Sequence, residues 1–471
     1  MIRIKTFKII SFLFLFHLTG FYLHAQDGTV DNSFVSGTAR PDNAVDGALE
    51  INNLKTIVYG WFDNWGTVSN VGGLVKINSN GLIDNSFNPP TTLNPSIALL
   101  LRSGKILIYC GGVYRLNIDG SIDSSFGTHG LKADWVTRII EQQDGKCYLI
   151  GACKNYDNKT VNNVFRILEN GNIDTTFRIG INSIGLGISD LIVSSDNKLV
   201  LCLGFYENYQ GTVLPCGIVK VNQDGSIAQV YSVNNDYNGF ALSVVEQADG
   251  SLIIGGQFSS NNNVSHYYLL KLNSVGQIDL NYKGLQDVTN LEIQQIYLLS
   301  NNYIIVHGKM MYKNENPQII RVTSNGVVDP TFSPVTADDR IHSIGLQKNG
   351  KILVGGEFMN INYGYRPYLA RINNSISRST VGIDVQQINK VTHTNFIQLI
   401  QNPVSNNMLK LKINSPCRFK VYDQFSRLIS SGFLPIGEQD LYLENLIQKS
   451  IYYISVEGEF GNIENHKFLT D

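Results

Sequence analysis

Aromatic rings beside amides are what a protein uses to hold a sugar ring or an apolar peptide group, and this chain sets both out in loops. Trp61, Trp65, Tyr156, Tyr206, Tyr209, His266, Tyr312, Tyr363 and Tyr365 lie in or beside Asn-rich polar stretches that follow apolar runs. Aromatic faces stack on sugars and Asn amides bond hydroxyls, so these nine form the candidate binding set, for polysaccharide or for a surface protein. Cleaving a glycan requires two carboxylates facing across a pocket, for which Asp63, Glu207 and Glu357 are the accessible candidates. No catalytic residue is assigned, because no nucleophile elbow, HExxH, Walker or dinucleotide-binding pattern occurs. His307 stands where other copies of its segment carry Gly, which marks a packed core histidine rather than a ligand. A recurrent aspartate (Asp31, Asp84, Asp123, Asp174, Asp279, Asp329) invites a calcium reading near Asn117 and Asp119, but an EF-type loop would need its glycine and a later bidentate Glu. Its expected role is structural: a short carboxylate bonding nearby backbone N–H groups and fixing a turn. No metal site and no cofactor are expected.

The elements that must position these residues repeat. A phrase Gly-x-aliphatic-Asp-x-Ser/Thr-Phe begins at Gly28, Gly81, Gly120 and Gly171, degenerates at Gly225 where Ala228 replaces the Asp, and returns at Gly276 and Gly326. Seven copies at a period near fifty residues indicate a repeat architecture. Between them recurs a second phrase, seen as Lys351-Ile-Leu-Val-Gly355-Gly356-Glu-Phe358, preceded by an Asn-Gly or Asp-Gly turn and an alternating apolar run. A third run such as Tyr368-Leu-Ala-Arg-Ile372-Asn373 leads into the next copy. Each period thus holds four strand-length segments, here a, b, c and d, with two-residue hairpin signals at the a–b and c–d joints. Four antiparallel strands per repeat predict a blade, and the chain an all-β, seven-bladed β-propeller.

These phrases resemble the delta-60 repeat family over about residues 27–373, which implies a propeller-like fold and no shared activity. The kelch and WD signatures are absent. The chain opens on a d segment and its last repeat lacks one, so Thr29 to Phe34 is expected to pair with Tyr368 to Asn373 and close the ring. In a meander, the a–b and c–d joints share one rim and the long, aromatic-bearing b–c loops share the other with the d–a joints, so the second rim is the expected working face.

Residues 1–25 read as a signal peptide: Arg3, Lys5 and Lys8, an apolar run from Ile9 to Leu23, then a small-residue exit at Ala25. Export to the periplasm, then release or display on the outer surface, is the expected address. Its removal shifts the formal charge from −2 to −5, a poor match for nucleic acid. Cysteines lack metal-type spacing; Cys202 with Cys216 is the pair to test as a disulfide, against buried thiols. A linker is expected over 375–394. Residues 395–471 alternate with period two and predict a small immunoglobulin-like β-sandwich. From Asn402-Pro403-Val through Val421-Tyr-Asp423 to Ile451-Tyr-Tyr, with Ser426 and Ser450 in place of two glycines, it resembles the C-terminal sorting domain of the type IX secretion system. That resemblance implies export across two membranes and then cleavage or surface attachment, with the secretion machinery as partner; a plain adhesion-type sandwich is the alternative. The functional expectation is a monomeric, non-catalytic binding or adhesion module, with a glycan-active hydrolase or lyase second and a purely structural surface role third.

Overall fold

The computed structural model describes the chain from Gln26 onward except for stretches of which 180–187, 232–236, 261–267, 380–396 and 400–406 are the longest; residues 1–25, where a signal peptide is expected, lie outside the described residues. Apolar runs punctuated by glycine turns form antiparallel sheets in the order a–b–c. They join Val45–Glu50, Thr56–Gly60 and Leu74–Ile77 in the first, and Ile97–Leu100, Ile106–Tyr109 and Gly112–Leu116 in the second. Val136–Glu141, Cys147–Gly151 and Val164–Ile167 make the third; Asp190–Val193, Leu199–Cys202 and Ile218–Val221, extended by Ile227–Val230, make the fourth. Tyr237–Glu246, Leu252–Ser260 and Leu269–Leu272 follow, then Val288–Leu298, Ile304–Tyr312 and Ile319–Val322, and last Ile341–Leu346, Ile352–Gly356 and Leu369–Ile372.

Buried clusters lie between consecutive sheets, so each sheet is covered on both faces, which is why the b strands read as near-continuous Ile, Leu and Val. Tyr148, Phe177 and Ile150 of the third sheet pack on Leu191, Leu201 and Tyr209 of the fourth. Leu353 and Leu369 of the last sheet pack with Phe34 on Val45, Val58 and Val75 of the first. That last cluster turns a row of sheets into a ring, and the chain is an all-β propeller.

Closure follows the expected route. Val30 pairs antiparallel with Ile372, Gly28 N–H donates to the Asn373 carbonyl (2.7 Å) and Asp31 N–H to that of Arg371 (2.7 Å). Gly28 has φ +86°, and a Cβ there would sit 2.0 Å from the Ser333 carbonyl oxygen, so this corner requires glycine.

Three local expectations are corrected. The a–b and c–d joints are three-residue loops rather than two-residue hairpins: Gly250 N–H donates to the Gln247 carbonyl and Gln247 N–H to that of Ser251, so a type I turn is followed by one residue of positive φ, Gly250 at +77°. The d segments are not full strands where the Asp is present. Each makes one bridge, as Ile77 with Ile83 or Val322 with Val328, and then turns away as Phe87 N–H reaches the Asp84 carbonyl. In the fourth sheet Ala228 replaces the Asp, and the segment continues as the strand Ile227–Val230. Lastly, the linker begins later than expected. Leu299 pairs with Arg378, and Ser300 N–H donates to the Ser377 carbonyl, so 375–379 strap the a–b turn of the sixth sheet.

The C-terminal region is a two-sheet sandwich, with Ile397–Leu399, Met408–Ile413 and Gly437–Tyr442 in one sheet. The other holds Leu428–Leu434, Cys417–Asp423, Ile451–Gly458 and Ile463–Leu469. Leu411, Val421, Ile454 and Phe468 fill its core.

Candidate binding site

The repeat phrase is a fastening device. Asp31 Oδ1 accepts from Ser33 N–H (3.0 Å) and hydroxyl (2.7 Å), while Oδ2 accepts from Arg371 Nε (2.7 Å) and Lys351 Nζ (2.5 Å). Arg371 lies over the Phe34 ring (4.5 Å) and donates onward to the Ser79 carbonyl of the next sheet (2.8 Å). Arg115, Arg166 and Arg321 repeat this with Asp123, Asp174 and Asp329, and Lys76 and Lys271 stand in for Arg beside Asp84 and Asp279. In the fifth copy, which lacks the Asp, Lys220 turns to Asp196 of the a–b loop (3.1 Å). Burial works to raise the Asp31 and Asp123 carboxyls, but bonds from lysine, serine and arginine override it and hold them well below the ordinary range.

The long b–c loops do not stand up as free walls. Asn64–Trp65 and Val68–Ser69, Asn155–Tyr156 and Lys159–Thr160, Asn208–Tyr209 and Thr212–Val213, and Asn360–Ile361 and Gly364–Tyr365 pair as miniature hairpins. Several fold against the segment before their own a strand, as Tyr156 with Leu131 and Ile361 with Ala337. This corrects the candidate set: Trp65, Tyr156 and Tyr209 are buried, not displayed. Trp65 Nε1 donates to the Gly81 carbonyl (3.3 Å), Tyr156 hydroxyl to Gly171 (2.7 Å) and Tyr209 hydroxyl to Gly225 (2.6 Å), each bracing the glycine turn of its own repeat. Asn-aromatic at one hairpin position in three repeats is the signal for this role. Tyr312 is half-buried beneath Lys313. Tyr206, His266, Glu207 and Cys216 lie outside the described residues, while Cys202 is buried at the end of its strand. Trp61 (68% exposed), Tyr363 (88%) and Tyr365 (58%) present their rings to solvent, and all three belong to the first and last sheets, which pack on each other.

Two charged constellations occupy that seam. In its buried part, β-bulges between Val45 and Gly47 and between Ile341 and Ser343 set Asp46 and His342 out of register and bring them together across the seam. His342 Nδ1 lies 3.0 Å from Asp46 Oδ1 and Nε2 lies 3.4 Å from Glu357 Oε1. Burial alone would lower the imidazole's pKa; the two carboxylates win, pushing it up to about 9, and the imidazolium in turn holds Glu357 below its ordinary value. At neutral pH this is a cation clasped by two anions. Further out, Arg40 lies over the Tyr365 ring (5.4 Å), with Arg366 beside it. Sequence inspection missed Asp46 and His342; the signal was two consecutive polar or small residues between aliphatic ones, as in Val45-Asp-Gly-Ala48 and Ile341-His-Ser-Ile344, which suits two residues opposing one.

Around the axis a buried polar chain steps between sheets. Arg138 meets Asp190, whose Oδ2 accepts from Ser243 Oγ (2.7 Å) and Val244 N–H (3.0 Å), and Ser243 Oγ accepts from Ile296 N–H (3.2 Å). Full burial pushes the Arg138 guanidinium down to about 9. On the rim that carries the a–b turns, a cleft of about 330 Å³ between the second and third sheets is lined by Arg102, Glu141 and Glu169. Glu141 there accepts from Arg102 N–H (2.8 Å), which makes it a latch between sheets.

A family model described as a domain of unknown function (DUF5122) beta-propeller matches residues 142–177, 247–282, 299–332 and 347–375, each stretch running from an a–b turn through c to the following d phrase or chain strap. The fold and these matches define a β-propeller protein. No curated protein matches it in sequence. Among solved structures, a streptogramin B lyase is similar at a TM-score of 0.45 and 13% identity, over 74% of this chain and 97% of that one. Virginiamycin B lyase from Staphylococcus aureus gives 0.44 and 14% over 70% and 96%. PorZ, a bacterial surface component of the type-IX secretion system of Porphyromonas gingivalis, gives 0.43 and 10% over 93% of this chain and 60% of that one. At such identities none of these proteins' activities carries over to this chain.

Proposed function

We propose that this chain is a secreted or surface-displayed, non-catalytic binding propeller of seven blades that captures polysaccharide or a surface protein on its long-loop rim. The carrying observation is the exposure of Trp61, Tyr363 and Tyr365 on the loops of the first and last sheets, where Trp61 and Tyr363 stand in solvent and Tyr365 carries Arg40 over its ring. Glycan cleavage is the weaker reading. A general acid requires a carboxyl raised toward neutrality, whereas Glu357 is lowered by the cation between it and Asp46. The C-terminal sandwich acts as the export signal for type IX secretion, in keeping with its sequence marks and an N-terminal leader; among the described residues no helix is long and apolar enough to cross a membrane.

A glycan array on the mature protein tests the binding reading. Binding lost in Trp61→Ala and Tyr365→Ala supports it, and silence across polysaccharides and surface-protein extracts sinks it. Deleting 395–471 tests the export reading, with cell-retained protein expected.

A further inference from the structure

Among the described residues, five arginines are buried (Arg115, Arg138, Arg166, Arg321 and Arg371), and each holds a carboxylate. Arg40 and Arg366 break that pattern. Both are half-buried at the seam of the first and last sheets, and neither pairs with a carboxylate among the described residues. Arg366 donates to the Tyr365 carbonyl (2.9 Å) and to Asn32 Oδ1 (2.6 Å), leaving its Nε enclosed and unpartnered. Arg40 has an enclosed, unpartnered Nε as well and lies over the Tyr365 ring. Burial and the neighbouring Arg366 charge both push the Arg40 guanidinium below its ordinary pKa, so the two cations repel each other.

Two acidic side chains of the adjoining loops, Asp42 and Asp338, are already engaged. Asp42 accepts from the Asp63 and Asn64 N–H groups (3.0 Å each) and the Asn64 amide, and Asp338 accepts from Met359 and Asn360 N–H (2.9 Å each) and the Asn360 amide. Two like charges held close, with the terminal N–H groups of Arg40 bonded to no described residue, form a fork for an external anion, and planar guanidinium groups favour flat, bidentate partners. The Tyr365 ring beneath Arg40, 58% exposed as a residue, and the exposed Tyr363 supply faces for a sugar.

We infer that Arg40, Arg366 and Tyr365 form a site for an acidic polysaccharide, with the guanidinium pair taking its carboxylate or sulfate group and the tyrosines its rings. This rests on the binding function proposed above and specifies the ligand's charge. The test measures affinities of the mature protein for matched pairs: dextran against dextran sulfate, and fully methyl-esterified against de-esterified homogalacturonan. The anionic member is expected to bind at least about tenfold more tightly. Arg40→Gln should remove about tenfold, the scale of one charge-assisted hydrogen bond, without lowering the melting temperature. Preference for the sulfated or the de-esterified chain identifies which anion is natural. Inorganic sulfate should compete on the unaltered protein, which keeps the test valid if a variant folds poorly.

Equal binding of neutral and anionic members, unchanged in Arg40→Gln but lost in Trp61→Ala, overturns this inference and leaves the binding function standing. Polyglutamate bound as tightly as any polysaccharide, with no effect of Tyr365→Ala, overturns it in favour of an acidic peptide. No binding of any probe removes both.

Discussion

Replacing His342 with glutamine removes the cation held between Asp46 and Glu357 while keeping a polar side chain of similar reach. The imidazole is 6% exposed and its pKa stands at about 9 against an ordinary 6.5. Each pKa unit is about 1.4 kcal/mol of linkage, and the part owed to the half-exposed Glu357 is screened by solvent, so the cation contributes about 2–3 kcal/mol. Because the folded-state pKa is raised, this stability is fully present below about pH 6.5 and is lost as pH rises through about 9. The lowered Glu357 adds a share present above its ordinary value and lost as pH falls through its folded one. The stability gap between wild type and His342→Gln in urea should therefore be widest at about pH 6 and narrow by about 2–3 kcal/mol by about pH 10. A direct measurement is the imidazole Cε1–H resonance, expected to titrate near 9. A midpoint near the free-histidine value, or a gap that does not change with pH, would refute the clasped cation.

The other predictions concern the framework. Tyr156→Phe deletes the bond to the Gly171 carbonyl and should cost about 1–2 kcal/mol in denaturant unfolding while leaving ligand affinity intact, in contrast to Trp61→Ala. Arg371→Met leaves Asp31 to Lys351 and Ser33 and removes the bond to the Ser79 carbonyl, and should cost about 2–3 kcal/mol, whereas Asp279→Asn, whose Lys271 partner is 3.9 Å away and more exposed, should cost under about 1 kcal/mol. Gly28→Ala forces a Cβ onto the Ser333 carbonyl at positive φ and should lower the melting temperature more than any alanine in an a–b turn, such as Gly104→Ala, where a Cβ meets open space. The depressed Asp31, Asp84 and Asp123 carboxyls contribute stability that persists until pH falls below the ordinary carboxylate range, so circular dichroism should show native sheet at about pH 4.

Period, strand composition and the closing partner were legible in the sequence because each is carried by a local repeat: aliphatic runs, glycines that need positive φ, and a d phrase whose missing copy lies at the other terminus. The site was legible only in part, for a physical reason. Loop aromatics look alike in sequence whether they brace a turn or face water; Trp65, Tyr156 and Tyr209 find a backbone carbonyl within reach, and Trp61, Tyr363 and Tyr365 stay exposed. Asp46 and His342 are 296 positions apart, and their meeting depends on ring closure plus a bulge in each strand. Pairings of that separation leave no trace in local pattern. The phrase's arginine partner was more accessible: Arg or Lys in the c strand stands eight residues before each Asp within a repeat, as in Arg115 to Asp123.

The joining of residues 28–46 to 340–373 also dictates when the molecule becomes competent. The rungs of that joint link residues as far apart as 296 and 340 positions, so neither half of the rim cluster exists as a surface until both segments have been synthesised and the circle has closed. On the binding function proposed above, ligand capture at this spot would work as a completeness check: a nicked, truncated or half-threaded copy would keep most of its sheets yet lack the joined seam.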